Sequence, residues 1–242
     1  MPDTPFSAVR SRLSANPPGM LQSAWTIARK DLAIELRTRS AFLSVVVFTL
    51  LALVIFFFAW DATAVSALDL APGVLWVTFT FAGLLGLHRS FGVEMQDRAM
   101  DALLVAPVTR ESIYLGKAIA NTIFVLAVLL VAVPALALFY NLPFFRTLTA
   151  LGPIAVLAAV GLVSIGTLFS SMAVNTRLAE LLLPMLSLPF FVPIVLASAQ
   201  ASTRLLAGRP FDEAVPWLKI LLAYDIVFVL ACTVAFPFTI EE

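Results

Sequence analysis

Only one of the 242 residues is a cysteine, Cys232, and only one is a histidine, His88. A lone cysteine excludes an intrachain disulfide framework and every Cys-x-x-Cys site. With one imidazole and one thiol, a metal centre built from the chain's own His and Cys is excluded as well. Charge is scarce too. Charged residues make up 12% of the chain and cancel to a net charge of zero, against about 25% in an ordinary soluble domain. Zero net charge gives no electrostatic footprint for nucleic acid. No Gly-x-x-x-x-Gly-Lys-[Ser/Thr] loop occurs: Gly116-Lys117 is followed by Ala118 and has no glycine five residues before it, so any ATP used with this chain is hydrolysed elsewhere.

What is present is apolar. Hydrophobic residues make up 61%, and the mean hydropathy is +1.01. A soluble core of this size cannot enclose that much apolar surface, so the solvent is lipid. Six apolar runs follow one another, placing spans at about 41–60, 70–88, 118–142, 147–172, 180–202 and 217–238. Each reaches the roughly 20 residues that one crossing needs. None alternates as a barrel strand does, so the spans are helices. Residues 1–22, with Pro2, Pro5, Pro17, Pro18 and Gly19, read as a disordered tail. No apolar core follows Arg10 and Arg12 at the spacing of a secretory signal. Residues 23–242 then form one six-span domain.

Between tail and first span, SAWTIARKDLAIELRTRS (23–40) sets Trp25, Ala28, Leu32 and Leu36 on one helical stripe, with Arg29, Lys30, Asp31, Glu35 and Arg37 over the remainder. This pattern fits a helix lying in the interface of an anionic leaflet; a solvated extension of the first span is the alternative. The lysines and arginines orient the chain. With the N-terminus inside, eleven of the fifteen fall on the cytoplasmic side, three on the other, and Lys219 at a boundary. Both termini are therefore expected in the cytoplasm.

That orientation puts one polar island inside. HRSFGVEMQDRAMDALLVAPVTRESIYLGK, 88–117, carries Arg89, Glu94, Asp97, Arg98, Asp101, Arg110, Glu111 and Lys117, eight of the chain's 30 charges. Residues 94–106 read as an amphipathic helix with Glu94, Asp97, Arg98 and Asp101 on one face. Pro107 ends it. Thr109 is placed to cap a second helix that continues into the third span. Two readings stand: a solvated loop with an ordinary amphipathic turn, or a docking element able to pass rigid-body motion into two spans.

The block LAPGVLWVTFTFAGLLGLHRSFGVEMQDRAMDALLVAPVTRESIYLGKAIAN looks like the signature region of the CcmB family. ARKDLAIELRTR, LLLPMLSLPFFVPIVLA, LLAYD at Tyr224–Asp225 and the terminal Glu241–Glu242 add to the resemblance, which covers 23–242. The chain departs from the family pattern at His88, Ala99, Ala102, Pro237 and Phe238. The resemblance implies an ABC-2-like permease with six spans, an N-terminal elbow helix and a coupling helix, in the bacterial inner membrane. It implies two copies of the chain working with an ABC ATPase (CcmA-like) and with CcmC-like and CcmD-like haem-handling proteins in c-type cytochrome biogenesis. Arg89, Glu94, Asp97, Arg98 and Asp101 would then form or support the ATPase dock. ATP would sit on the partner. Haem would be the transported ligand, or ATP would drive release of a haem chaperone instead. A membrane scaffold without transport and an ABC-2 exporter of another substrate remain as alternatives. No catalytic constellation is present, so the chain is not expected to be an enzyme.

Four further features have two readings each. His88 is a boundary residue or a haem ligand. Asp225 either pairs with Arg204, Arg209 or a backbone group just inside the outer interface, or is an intramembrane functional residue. Pro184, Pro189 and Pro193 make a packing kink or a gate. Phe56–Phe58 with Trp60 form a lipid-facing belt or a porphyrin site.

Overall fold

The computed structural model describes residues 19–96, 108–173 and 179–239, with side chains over 19–88, 108–172 and 184–239. Seven α-helices occupy these stretches: α1 Met20–Thr38, α2 Ser40–Ala59, α3 Ala67–Gln96, α4 Arg110–Phe139, α5 Phe144–Ala173, α6 Ala179–Leu206 and α7 Val215–Thr239. A 3₁₀ turn, Phe211–Glu213, precedes α7. Six helices, α2 to α7, are long and apolar enough to cross a membrane, so the chain is an all-α protein with six candidate spans. No strand occurs among the described residues.

Lipid gives apolar side chains no reason to leave it, so packing here depends on close approach and interhelical hydrogen bonds. The helix with the most small residues takes the centre. Along α5, Ala155, Ala158, Ala159, Ser164, Thr167, Ser170 and Ser171 are all buried, and α5 packs on α3, α4, α6 and α7. Side chains of the same chain fill the glycine notches: Leu162 lies over Gly83, Phe124 over Gly86 and Leu87 over Gly166. Polar cross-links join the helices. Trp76 Nε1 donates to Ser202 Oγ at 2.9 Å, the Ser170 hydroxyl to the Leu87 carbonyl at 3.0 Å, and the Tyr114 hydroxyl to the Ser164 carbonyl at 3.0 Å.

Helix α1 begins at Met20, inside the segment expected as tail; residues 1–18 lie outside the described ones. Helix and span are separated at a single residue. Arg39 adopts a left-handed conformation (φ 55°, ψ 0°), and its N–H closes α1 on the Glu35 carbonyl. The Glu35 side chain accepts the Phe42 N–H at 2.8 Å, satisfying an orphan donor of α2. The expected stripe of α1 divides. Ala28 is fully buried with Ala24 and Ile27, whereas Trp25 and Leu36 are exposed. Sequence spacing shows that residues share a face, not that one apolar face meets protein and another does not.

The Phe-rich end of α2 also divides. Phe58 and Phe56 are exposed. Phe57 instead packs edge-on against Tyr140, with ring centroids 5.8 Å apart, and the Trp60 indole donates to the Val65 carbonyl.

Candidate functional site

Helix α3 does not stop where its apolar run stops. It continues from His88 to Gln96, about 12 Å beyond its apolar part at 1.5 Å per residue. Arg89 and Glu94 lie on this extension. Asp97, Arg98 and Asp101, and the expected helix beyond Gln96, lie outside the described residues. The chain is described again from Val108, and Thr109 starts α4 with extended backbone and its hydroxyl accepting the Ser112 N–H at 3.3 Å. The polar island thus joins two long helices, and α4 leaves it with a fixed N-terminus.

One turn further on, α4 meets α1 at close range. A Cβ added to Gly116 would lie 2.7 Å from the Ala24 carbonyl oxygen and 2.8 Å from Ile27 Cβ. Contacts that short are not tolerated, so only glycine lets the two backbones approach this way. The next residue, Lys117, is fully buried, and its ammonium stands 3.5 Å from Asp31 Oδ2. Lys30 holds the other oxygen, Asp31 Oδ1, at 3.1 Å. Ser23 of α1 and Ser112 of α4 are also buried. The elbow helix is therefore clamped to α4 by a close glycine contact and an enclosed ion pair, beside the end of the polar island. Sequence reasoning counted Lys117 among the island's charges and missed its partner. The available signal was a lysine set directly against the start of an apolar run.

Asp225 is the second feature. It lies ten residues into α7, about 15 Å along a helix of 25 residues. Its residue is 5% exposed, and among the described residues neither carboxylate oxygen has a hydrogen-bond partner. The expected pairing with Arg204 or Arg209 is not made. Arg204 donates to Gln200 and lies over the Trp217 ring, and Arg209 pairs with Glu213. Arg204 lies in the last turn of α6 and Arg209 in the loop after it. The carboxyl instead faces Gly161 of α5, where an added Cβ would come 2.6 Å from Oδ1 and 3.1 Å from Ile194 Cδ1 of α6.

His88 is half-buried at the end of the apolar part of α3. Among the described residues no three His, Cys, Asp or Glu side chains gather where they could hold a metal ion. Pro184, Pro189 and Pro193 all lie within α6, which continues helical through them.

These elements define a multi-pass α-helical membrane protein with a polar segment joining two spans and an N-terminal helix clamped beside it. Residues 22–242 match the CcmB protein family, and the chain belongs to that family. It is 28% identical over 200 residues to heme exporter protein B of Rhodobacter capsulatus, covering 83% of this chain and 91% of that protein. The protein of the same name from Bradyrhizobium diazoefficiens is 29% identical over 204 residues, 83% of this chain and 89% of its own. That of Paracoccus denitrificans is 32% identical over 141 residues, 57% and 63%.

Proposed function

We propose that this chain is the membrane permease subunit of an ATP-driven complex that exports haem, or releases a haem chaperone, in c-type cytochrome biogenesis. It sits in the inner membrane with both termini in the cytoplasm, as two copies beside two CcmA-like ATPase subunits and with CcmC-like and CcmD-like partners. The observation that carries this reading is correspondence over nearly the whole length with proteins named heme exporter protein B. In this reading the work has a route through two helices. Arg89, Glu94, Asp97, Arg98 and Asp101 form the ATPase dock on the polar island. Force applied there enters α3 at one end and α4 at the other. The clamp at Gly116 and Lys117 makes the elbow move with α4, so a push on the island is delivered to a rigid unit rather than lost in a hinge. Haem is then the transported substrate, or ATP drives release of a haem chaperone.

The test is reversal of Glu94, Asp97 and Asp101 to lysine in a strain co-expressing the ATPase. Capture of the ATPase on the membrane subunit and haem attachment to cytochrome c should both fall at least tenfold. Survival of both would sink the docking role. An ATPase-dead partner that still assembles with the chain should abolish cytochrome maturation; continued maturation would leave a scaffold without transport.

A further inference from the structure

Asp225 has no role in the reading above, and its surroundings define its chemistry. A charge within a membrane span is retained only with a partner or for a function. Arg204, Arg209 and Glu213 are engaged with other groups. Among the described residues, the titratable and charged groups on the elements packed against α7 are Arg146 on α5, which donates to the Leu205 carbonyl, Arg204 on α6, Arg110, Glu111, Tyr114 and Lys117 on α4, and Asp212 and Glu213 of the 3₁₀ turn; Glu180 also lies on α6, at its far N-terminal end. Arg110 reaches the Pro237 carbonyl, Tyr114 the Ser164 carbonyl, and Lys117 stands by Asp31. On α7 itself Tyr224 donates to the Phe190 carbonyl at 2.6 Å, and Cys232 is buried; Lys219 lies six residues nearer the start of the helix. None of these groups hydrogen-bonds the carboxyl.

Three counter-ions would neutralise it. A coordinated metal cation needs several ligands, about six or more oxygens for magnesium or calcium, and among the described residues no three His, Cys, Asp or Glu side chains gather to hold one. An organic cation needs an opening, and the residue is 5% exposed. A proton needs neither. A neutral acid also gains an O–H that can donate to a neighbouring helix carbonyl, which a carboxylate cannot. Gly161 is the second half of the seat, since a Cβ there would come within 2.6 Å of Oδ1 and press on the carboxyl.

We propose that Asp225 is a proton-binding site within the last span, held as the neutral acid by the closed contact of α5, α6 and α7 and exchanging its proton when that contact opens. The proposal is independent of the ATPase and of haem, because it concerns this chain alone. Infrared spectra of the full chain in lipid vesicles test it. At neutral pH the wild type should show the carbonyl stretch of a protonated carboxyl. The band should be absent from Asp225→Asn and should persist as pH rises through the range in which exposed carboxyls ionise. In Gly161→Ala it should be lost or should titrate with the exposed groups. Should Asp225→Asn fail to fold, aspartate labelled with carbon-13 in the wild type identifies the band by its isotope shift. No protonated-carboxyl band at neutral pH, or one that titrates with surface acids, overturns the site. A band unchanged in Gly161→Ala overturns the role of the closed contact.

Discussion

Truncating the two partners of the Lys117–Asp31 pair should have unequal effects, and the inequality follows from their surroundings. At 3.5 Å and an effective dielectric constant of about 20, the gross attraction is about 5 kcal/mol. Most of that offsets desolvation. The Lys117 side chain is 0% exposed, that of Asp31 15% exposed, and Asp31 keeps Lys30 at 3.1 Å whatever happens to Lys117. Asp31→Asn therefore strips a carboxylate from an enclosed ammonium. Breaking a fully buried pair costs about 3–5 kcal/mol, and partial exposure of Asp31 lowers this to about 2–4 kcal/mol. Lys117→Met removes the enclosed charge itself, replaces it with an apolar chain of similar length and leaves Asp31 paired, so its cost should be below about 1 kcal/mol. The double variant should lie within about 1 kcal/mol of wild type, a strongly non-additive cycle. Reversible unfolding in mixed micelles, followed by helical circular dichroism, reads all four proteins. The reasoning fails if Asp31→Asn costs no more than Lys117→Met, or if the double variant loses the sum of the two.

Other positions give independent tests. Gly116→Ala places a Cβ 2.7 Å from the Ala24 carbonyl, about 0.7 Å inside ordinary contact; since backbone cannot yield locally, the elbow must shift, at about 1–3 kcal/mol, and a cysteine cross-link between α1 and α4 should form more slowly. Ser202→Ala leaves the Trp76 indole N–H unsatisfied where the residue is 1% exposed, which should cost about 1–3 kcal/mol in the same unfolding assay, with Ser202→Thr costing less. At Arg39, φ 55° favours glycine, so Arg39→Gly should be nearly neutral while Arg39→Val costs about 1–2 kcal/mol, measured as above. In the Asp61–Ala64 turn, the Thr63 hydroxyl and N–H hold the Asp61 carboxyl below its usual range. A depressed carboxyl contributes order that is present above its unfolded value and lost as pH falls through its folded one. The residue-63 amide resonance should therefore move in acid, below the range of ordinary aspartates, and Thr63→Ala should raise the midpoint part of the way toward the usual value, because the backbone N–H remains.

How much of this was legible beforehand depends on what each feature answers to. The six spans answer to run length against a fixed lipid thickness, and a one-dimensional hydropathy pattern carries that. The Thr109 cap answers to local chemistry, and a threonine before Arg110 carries that too. The elbow clamp does not. Ala24, Ile27 and Ala28 are unremarkable as a sequence, and so is Gly116; their meaning lies in a contact across more than 80 positions. In lipid the difference between a face that meets protein and one that meets acyl chains is not polarity but side-chain size, so the pattern that locates a span is silent about which side it packs. Asp225 shows the same limit from the other direction. Its type and depth mark it as costly, but only the fold shows the arginines turned elsewhere and a glycine backbone at the carboxyl. Where hydropathy is uniform, the informative residues are those that break it, Lys117 and Asp225 among them, and what each does is decided by the helix opposite.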